Sequence, residues 1–457
     1  MKNVIRLLMG LIVLPAGVHA QVPQTNWRYD EDWSTVAPED PDSQPWWMPA
    51  KHLPLNARGD IYLSSGLEAR ARFEGFSNNN WGGGAAPDDG YLWLRVLPHA
   101  DLHVGPARAF VQLIGGYASG VEPEEGGVDE TGLDVQQAFA DLRLTPGRHA
   151  SLTLRGGREL IALGSERLVG LRYGPNIPQP FDGVRAILQW GGTRIDALAL
   201  KPVDKATDNI DDRTSRTERL QGIYLTSPVP GLSNFDAYVL DYDRDDASFV
   251  SGTGREHRQT YGVRVFGSAK GWSWNWEAMV QRGRFDGSRI RAWSLATETS
   301  YKFAGAPRAP ELRLRANIAS GDKASTPGRL ESFNPMFPKG KYFGELSPIG
   351  PVNIINVHPS VGLDLGHGMA LDLAAVAYWR ASRGDGLYDL PGQLIRAPGT
   401  GRARHVGTQA EMLLSWQATD VLSFSASYSF FEPGAFIRQS GPARTIQMIG
   451  AEVLFRF

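Results

Sequence analysis

The sequence predicts an all-β fold, a transmembrane antiparallel β-barrel of about eighteen strands with short periplasmic turns and long extracellular loops. Three observations carry that reading. The chain of 457 residues opens on a secretory-type leader and ends on phenylalanine. Its strands alternate apolar and charged positions. The breaks between the strands alternate short and long.

The leader comes first. Lys2 and Arg6 give a positive start, Leu7 to Val13 form an apolar run broken only by Gly10, and Val18-His19-Ala20 offers small residues for cleavage after Ala20. Residues 1–20 thus read as a signal peptide, too short to span a membrane, and the mature chain is expected to begin at Gln21. There is no cysteine, so a secreted chain of this length must be held together without disulfides. A closed barrel meets that need, because closure pairs every strand. The formal charge is −2, and −4 once Lys2 and Arg6 are removed, which gives no polyanion-binding signal and argues against a nucleic-acid partner. Hydrophobic residues make up 42% of the chain, yet beyond the leader no apolar run approaches the roughly 18 residues of a membrane helix.

Residues 21–59 differ from the rest. Asn26-Trp27-Arg28-Tyr29-Asp30-Glu31-Asp32-Trp33 is acidic and aromatic, and Ala37 to Pro54 is proline-rich with Trp46-Trp47. No period is visible, so this stretch reads as an irregular periplasmic segment packing on the barrel's lower rim. From 60 to 457 one unit repeats, a strand of about ten residues followed by a break. In Gly66-Leu67-Glu68-Ala69-Arg70-Ala71-Arg72-Phe73-Glu74 every second residue is charged. Trp272, Trp274 and Trp276 share a face, and Leu312-Arg313-Leu314-Arg315-Ala316-Asn317-Ile318 alternates without error. The last strand sets Ile449, Ala451, Val453, Phe455 and Phe457 against Glu452 and Arg456.

Short breaks fall near 103–107, 145–149, 191–193, 227–232, 268–271, 303–310, 366–369 and 417–420. Long ones fall near 77–89, 118–132, 161–181, 202–218, 243–257, 282–290, 320–352, 382–403 and 433–443. Seventeen breaks separate eighteen strands, and an even number leaves both ends on the periplasmic side.

Alternation turns Arg70, Arg72, Arg95, Arg143, Arg155, Arg185, Arg264, Arg313 and Arg315 toward the lumen. Glu68, Glu74, Asp141, Glu159, Glu277 and Glu411 share those faces. Such a lumen can be braced by arginine–carboxylate ladders, and a few unpaired arginines within it would draw in an anion. No catalytic set stands out. The nine histidines are scattered without metal-ligand spacing, and Gly82-Gly83-Gly84 lacks the lysine and helix of a phosphate cradle. Neither an enzyme nor a cofactor is expected.

Two breaks are unusual. Residues 156–183 alternate Arg158, Arg167 and Arg172 with apolar residues, and residues 320–360 hold Phe333, Phe337, Tyr342 and Phe343. Aromatics in long loops must be buried somewhere, and a loop folded into the pore would bury them.

These stretches carry a family resemblance. Gly157-Arg158-Glu159 through Arg167-Leu168, Arg172-Tyr173-Gly174-Pro175-Asn176 and Phe181-Asp182-Gly183-Val184-Arg185 form one block. Ser320-Gly321-Asp322, Phe333-Asn334-Pro335-Met336-Phe337-Pro338-Lys339-Gly340 and Asn356-Val357-His358-Pro359-Ser360 form another. With Trp27-Arg28, Glu31-Asp32-Trp33-Ser34 and Arg70-Ala71-Arg72-Phe73-Glu74, they make the chain resemble the alginate export family of outer-membrane proteins. The resemblance implies an eighteen-stranded barrel passing an anionic polysaccharide through an arginine-lined constriction. Its pore contacts map onto Arg70, Arg72, Arg158 and Arg185. The expected function is polysaccharide export, with anionic solute, outer-membrane lipid and periplasmic export proteins as partners. The alternative is an uptake porin for small anions or carboxylates.

Overall fold

The computed structural model describes residues 25–34, 44–231, 233–323 and 328–457; the leader lies outside them. Eighteen strands follow one another along the chain. They are β1 (Ile61–Ser77), β2 (Asp89–Val104), β3 (Ala107–Ser119), β4 (Gly132–Gly147), β5 (Ala150–Leu160) and β6 (Pro180–Trp190). Next come β7 (Thr193–Asp204), β8 (Glu218–Val229), β9 (Ser233–Phe249), β10 (Gly252–Ala269), β11 (Trp272–Phe285) and β12 (Ser288–Lys302). The last six are β13 (Glu311–Ala319), β14 (Ile354–Gly366), β15 (Met369–Arg380), β16 (His405–Thr419), β17 (Leu422–Pro433) and β18 (Ile446–Arg456). Each pairs antiparallel with the next, and β18 returns to β1 in a ladder from Glu68 opposite Arg456 to Ser77 opposite Gln447. Closure satisfies the edge groups that an open sheet would leave unpaired.

The outward faces match a lipid environment. Val111, Leu154, Val184, Ile223, Val263, Leu295 and Leu314 leave 44–60% of their surface exposed. Aromatics flank this band, with Trp190, Trp272 and Trp416 toward the tight turns and Trp293 and Phe430 toward the loops. Arg313 and Arg315, alternating with the outward Leu312 and Leu314, face inward.

The eight short connections fall where the sequence places them, at one end of the barrel. Two of the expected long breaks are tight hairpins instead. β9 runs to Phe249 before β10 resumes at Gly252, and β11 runs to Phe285 before β12 resumes at Ser288. Their charges and glycines read as loop, but they belong to a ladder that continues above the apolar band, bulged between Arg244 and Ala247.

Two true loops, 161–179 between β5 and β6 and, between β13 and β14, the described residues 320–323 and 328–353, fold into the lumen and join there. Val169 bridges Phe337 in parallel, Gly170 N donates to Phe337 O at 2.8 Å, Phe337 N to Leu168 O at 2.9 Å and Lys339 N to Glu166 O at 2.9 Å. Side chains would block this approach. A Cβ on Gly340 would stand 2.6 Å from Pro175 Cδ, and one on Gly170 would stand 2.9 Å from Lys339 N.

Phe333, Met336, Phe337, Phe343 and Leu346 then pack on inward Phe181, Leu198, Leu200, Leu220 and Tyr242. The upper lumen is therefore a hydrophobic core rather than a uniformly charged, watery channel. Strands β6 to β9 turn apolar side chains both inward and outward there. Truncating one of its buried phenylalanines would cost about 3–5 kcal/mol.

Candidate functional site

Below that core, on the side of the tight turns, lies a chamber of about 500 Å³. Inward residues of β2 to β8 wall it, and residues of the 25–34 segment and the 161–179 loop complete it. Five arginines line it, Arg108, Arg143, Arg155, Arg185 and Arg194, against three aspartates, Asp30, Asp141 and Asp196. Two carboxylates just behind the lining, Asp101 and Glu159, also pair with these arginines, so the charges balance in number and the field inside depends on which arginines stay unpaired.

These arginines divide by how fully their donors are taken. Arg155 grips Asp141 with both Nε and Nη2 at 2.8 Å and reaches Glu159 at 3.0 Å. Arg185 holds Asp196 at 2.6 Å and shares Glu159 at 3.2 Å. Arg108 binds Asp101 at 2.6 Å, and half-exposed Arg194 binds Asp196 at 2.7 Å. Arg143 is different. It is exposed to the chamber and makes no ion pair among the described residues. Asp141, Glu159, Arg155 and Arg185 form a ladder of ion pairs that Arg143 does not join.

The N-terminal segment enters this chamber rather than resting on the rim. Tyr29 packs edge-on against the stacked pair of Phe110 and Phe139, at 6.0 and 5.4 Å, and its hydroxyl donates to Leu160 O at 2.8 Å. Arg108 donates to Tyr29 O, and Arg28 to the backbone oxygen of Phe457 at 2.6 Å. The segment thereby sets the Asp30 carboxylate among the chamber arginines. Behind it Lys51 Nζ donates to Ser65 O at 2.9 Å and lies over the rings of Trp33 and Phe457. Burial, helped by nearby Arg28, pulls the Lys51 ammonium down to about 7.

The remaining arginines singled out from the sequence lie elsewhere. Arg70 donates to the Tyr173 and Pro175 carbonyls at 3.0 and 2.8 Å. Arg95 donates to Asn176 O at 3.0 Å and Glu68 at 2.8 Å, with the Tyr173 ring 4.2 Å from its guanidinium. Both pin the inserted 161–179 loop. Arg72 is enclosed by Glu74, Glu345 at 2.7 Å and Glu452 at 3.1 Å. Arg313 pairs with Asp372 at 2.8 Å and Glu311 at 3.0 Å, and Arg315 approaches Glu298 at 3.6 Å.

Arg158 does not line the lumen. Inward Arg155 and Glu159 leave it the opposite parity, and it pairs at 2.8 Å with Asp182, two residues from outward Val184. The sequence reading missed Arg108, Arg194, Asp196 and Asp30. Alternation with outward Val111 and inward Leu198 carries the signal for the first three, while nothing in the chain pattern places Asp30 inside.

The family model described as alginate export matches residues 61–450. No curated protein matches the chain. Among solved structures it is similar to OccK2 (OpdF) of Pseudomonas aeruginosa in complex with glucuronate, with TM-score 0.58 and 12% identity, covering 86% of this chain and 98% of that one. OpdK of the same organism, with vanillate, gives TM-score 0.56 and 11% identity, covering 86% and 98%. OccK2 without that ligand in its description gives TM-score 0.60 and 12% identity, covering 86% and 97%. At such identity the likeness is one of fold.

Proposed function

The chain belongs to the alginate export family, and we propose that this outer-membrane channel exports an anionic polysaccharide such as alginate, receiving its uronate carboxylates in the periplasmic chamber. It is a channel, not an enzyme. The observation that carries the reading is Arg143, an arginine exposed to the chamber and without an ion-pair partner among the described residues, where its neighbours are held by carboxylates. A carboxylate accepts hydrogen bonds from a guanidinium fork, and repeated carboxylates along a chain can pass from one arginine to the next if each contact is weak. The wet chamber keeps each contact weak.

The glucuronate in the OccK2 complex is a single uronate within a barrel of similar fold, which supports this substrate class. In this reading Asp30 holds the place of a substrate carboxylate while the segment is docked. The polymer displaces it, and the joined loops above swing aside to let the chain through. The mature chain would start at Gln21, with the segment up to residue 59 serving as the mouthpiece for periplasmic export proteins.

Planar-bilayer recording tests this. Uronate oligomers should block the current at concentrations where neutral oligosaccharides of equal length do not. If small anions pass freely and uronate oligomers leave the current untouched, the protein is an anion porin instead.

A further inference from the structure

Above the apolar band, the outer wall carries four arginines in a square. Arg282 and Arg284 on β11 stand directly opposite Arg291 and Arg289 on β12. All four are exposed, and they alternate with inward Gln281, Phe285, Ile290 and Ala292. Paired strands bring opposing residues to about 5 Å, and outward neighbours on one strand are about 7 Å apart. Like charges set opposite one another in a ladder are destabilising unless something neutralises them. Nothing in the described residues does. None of the four makes an ion pair, whereas Arg219 and Arg255 on the adjoining wall have Asp243 at 2.8 Å and Asp245 at 3.4 Å. Asp286, in the turn between the two strands, pairs with none of them.

Their height identifies the occupant. Arg291 lies one outward step beyond Trp293, and Arg282 one step beyond Val280, which are 45% and 46% exposed. Below them the wall is apolar through Leu295, Ala278 and Trp276 to Trp272 at the turn end. The square thus sits just past the lipid boundary, at the end of the barrel away from the eight tight turns, where the outer leaflet places its head groups. In a bacterial outer membrane that leaflet is built on a glucosamine disaccharide bearing two phosphates. We propose that Arg282, Arg284, Arg289 and Arg291 bind the bisphosphorylated head group of lipid A. The guanidinium forks would donate to the phosphate oxygens while Trp293 and Leu295 meet the acyl chains. This rests on the outer-membrane location and is independent of what passes through the lumen.

The test is native mass spectrometry of the purified protein with three lipids: bisphosphorylated lipid A, the same lipid A enzymatically dephosphorylated, and phosphatidylglycerol. The wild type should hold the bisphosphorylated form at least about tenfold more tightly than either other lipid. The R282Q/R284Q/R289Q/R291Q variant, its fold checked by heat-modifiable migration, should lose that preference. Equal retention of dephosphorylated lipid A by the wild type overturns the proposal without reliance on any variant. Equal retention of phosphatidylglycerol, or an undiminished preference in a folded quadruple variant, overturns it as well.

Discussion

Reversing the one unpaired chamber arginine, Arg143→Glu, should turn the channel from anion toward cation preference. Arg143 makes no ion pair among the described residues, so its removal strands no buried partner and the fold should tolerate it. A permeant anion about 6 Å from the guanidinium, in a wet chamber of effective dielectric about 40, gains about 1.4 kcal/mol from Coulomb attraction. Reversal changes the charge by two units, so the unscreened change is about 2.8 kcal/mol. Screening over a Debye length of about 10 Å reduces it to about 1.5 kcal/mol for the anion, and a cation shifts as much the other way, so the anion-to-cation permeability ratio changes roughly a hundredfold. The reversal potential of single channels under a salt gradient reads this ratio directly, and raising the ionic strength should shrink the effect. A reversal potential identical to wild type at low salt would mean that permeant ions do not pass Arg143, and the chamber would lose its role.

Four further outcomes follow from the same geometry. Asp30→Asn removes the carboxylate that competes with substrate, so uronate oligomers should block the current at about tenfold lower concentration, for about 1.4 kcal/mol of relieved competition. Tyr29→Ala removes the ring packed edge-on against Phe110 and Phe139 at a cost of about 3–5 kcal/mol to docking, which should appear as higher single-channel conductance. Lys51 is depressed to about 7 from 10.5 when docked. The released segment therefore binds more protons between those values, and docking should strengthen by up to about 1.4 kcal/mol per unit as pH rises through that window, staying flat and weakest below 7. A spin label at Ser34 should report this immobilisation, and Lys51→Met should abolish its pH dependence. Arg95→Met leaves the Asn176 carbonyl without its donor, while Arg70 still holds those of Tyr173 and Pro175, and weakens the cage around Glu68. It should lower thermal stability by about 3–5 kcal/mol while the ion selectivity stays unchanged.

The barrel wall was legible because lipid and closure impose a period of two on every strand. Leu312 to Ile318 and the final strand from Ile449 to Phe457 fall on the faces that alternation assigns them. The aromatics of Phe333 to Phe343 also signalled their own burial, and they form the core where the two inserted loops meet. The hairpins at 250–251 and 286–287 were hidden because ladders above the membrane face water outside and need no apolar alternation. Which arginines brace and which remain unpaired was not readable either. Arg70 and Arg95 bind carbonyls some 80 to 105 residues away, and only the folded loop brings those into reach. Arg158 shows the limit of motif reasoning. A single step of parity puts it on the outer face with Asp182, although it lies in the block that carries the family resemblance. The N-terminal segment was the least legible part, since tertiary contacts of Tyr29 and Arg28, not any period, draw it into the lumen.

The most direct test of the chamber's role is a structure of the protein with a uronate oligomer added at the periplasmic side. One sugar carboxylate should lie within hydrogen-bond distance of Arg143 or Arg194, with Asp30 and its segment displaced from the chamber. An oligomer bound only at the outer loops, with Tyr29 still packed against Phe110 and Phe139 and the chamber unchanged, would contradict it.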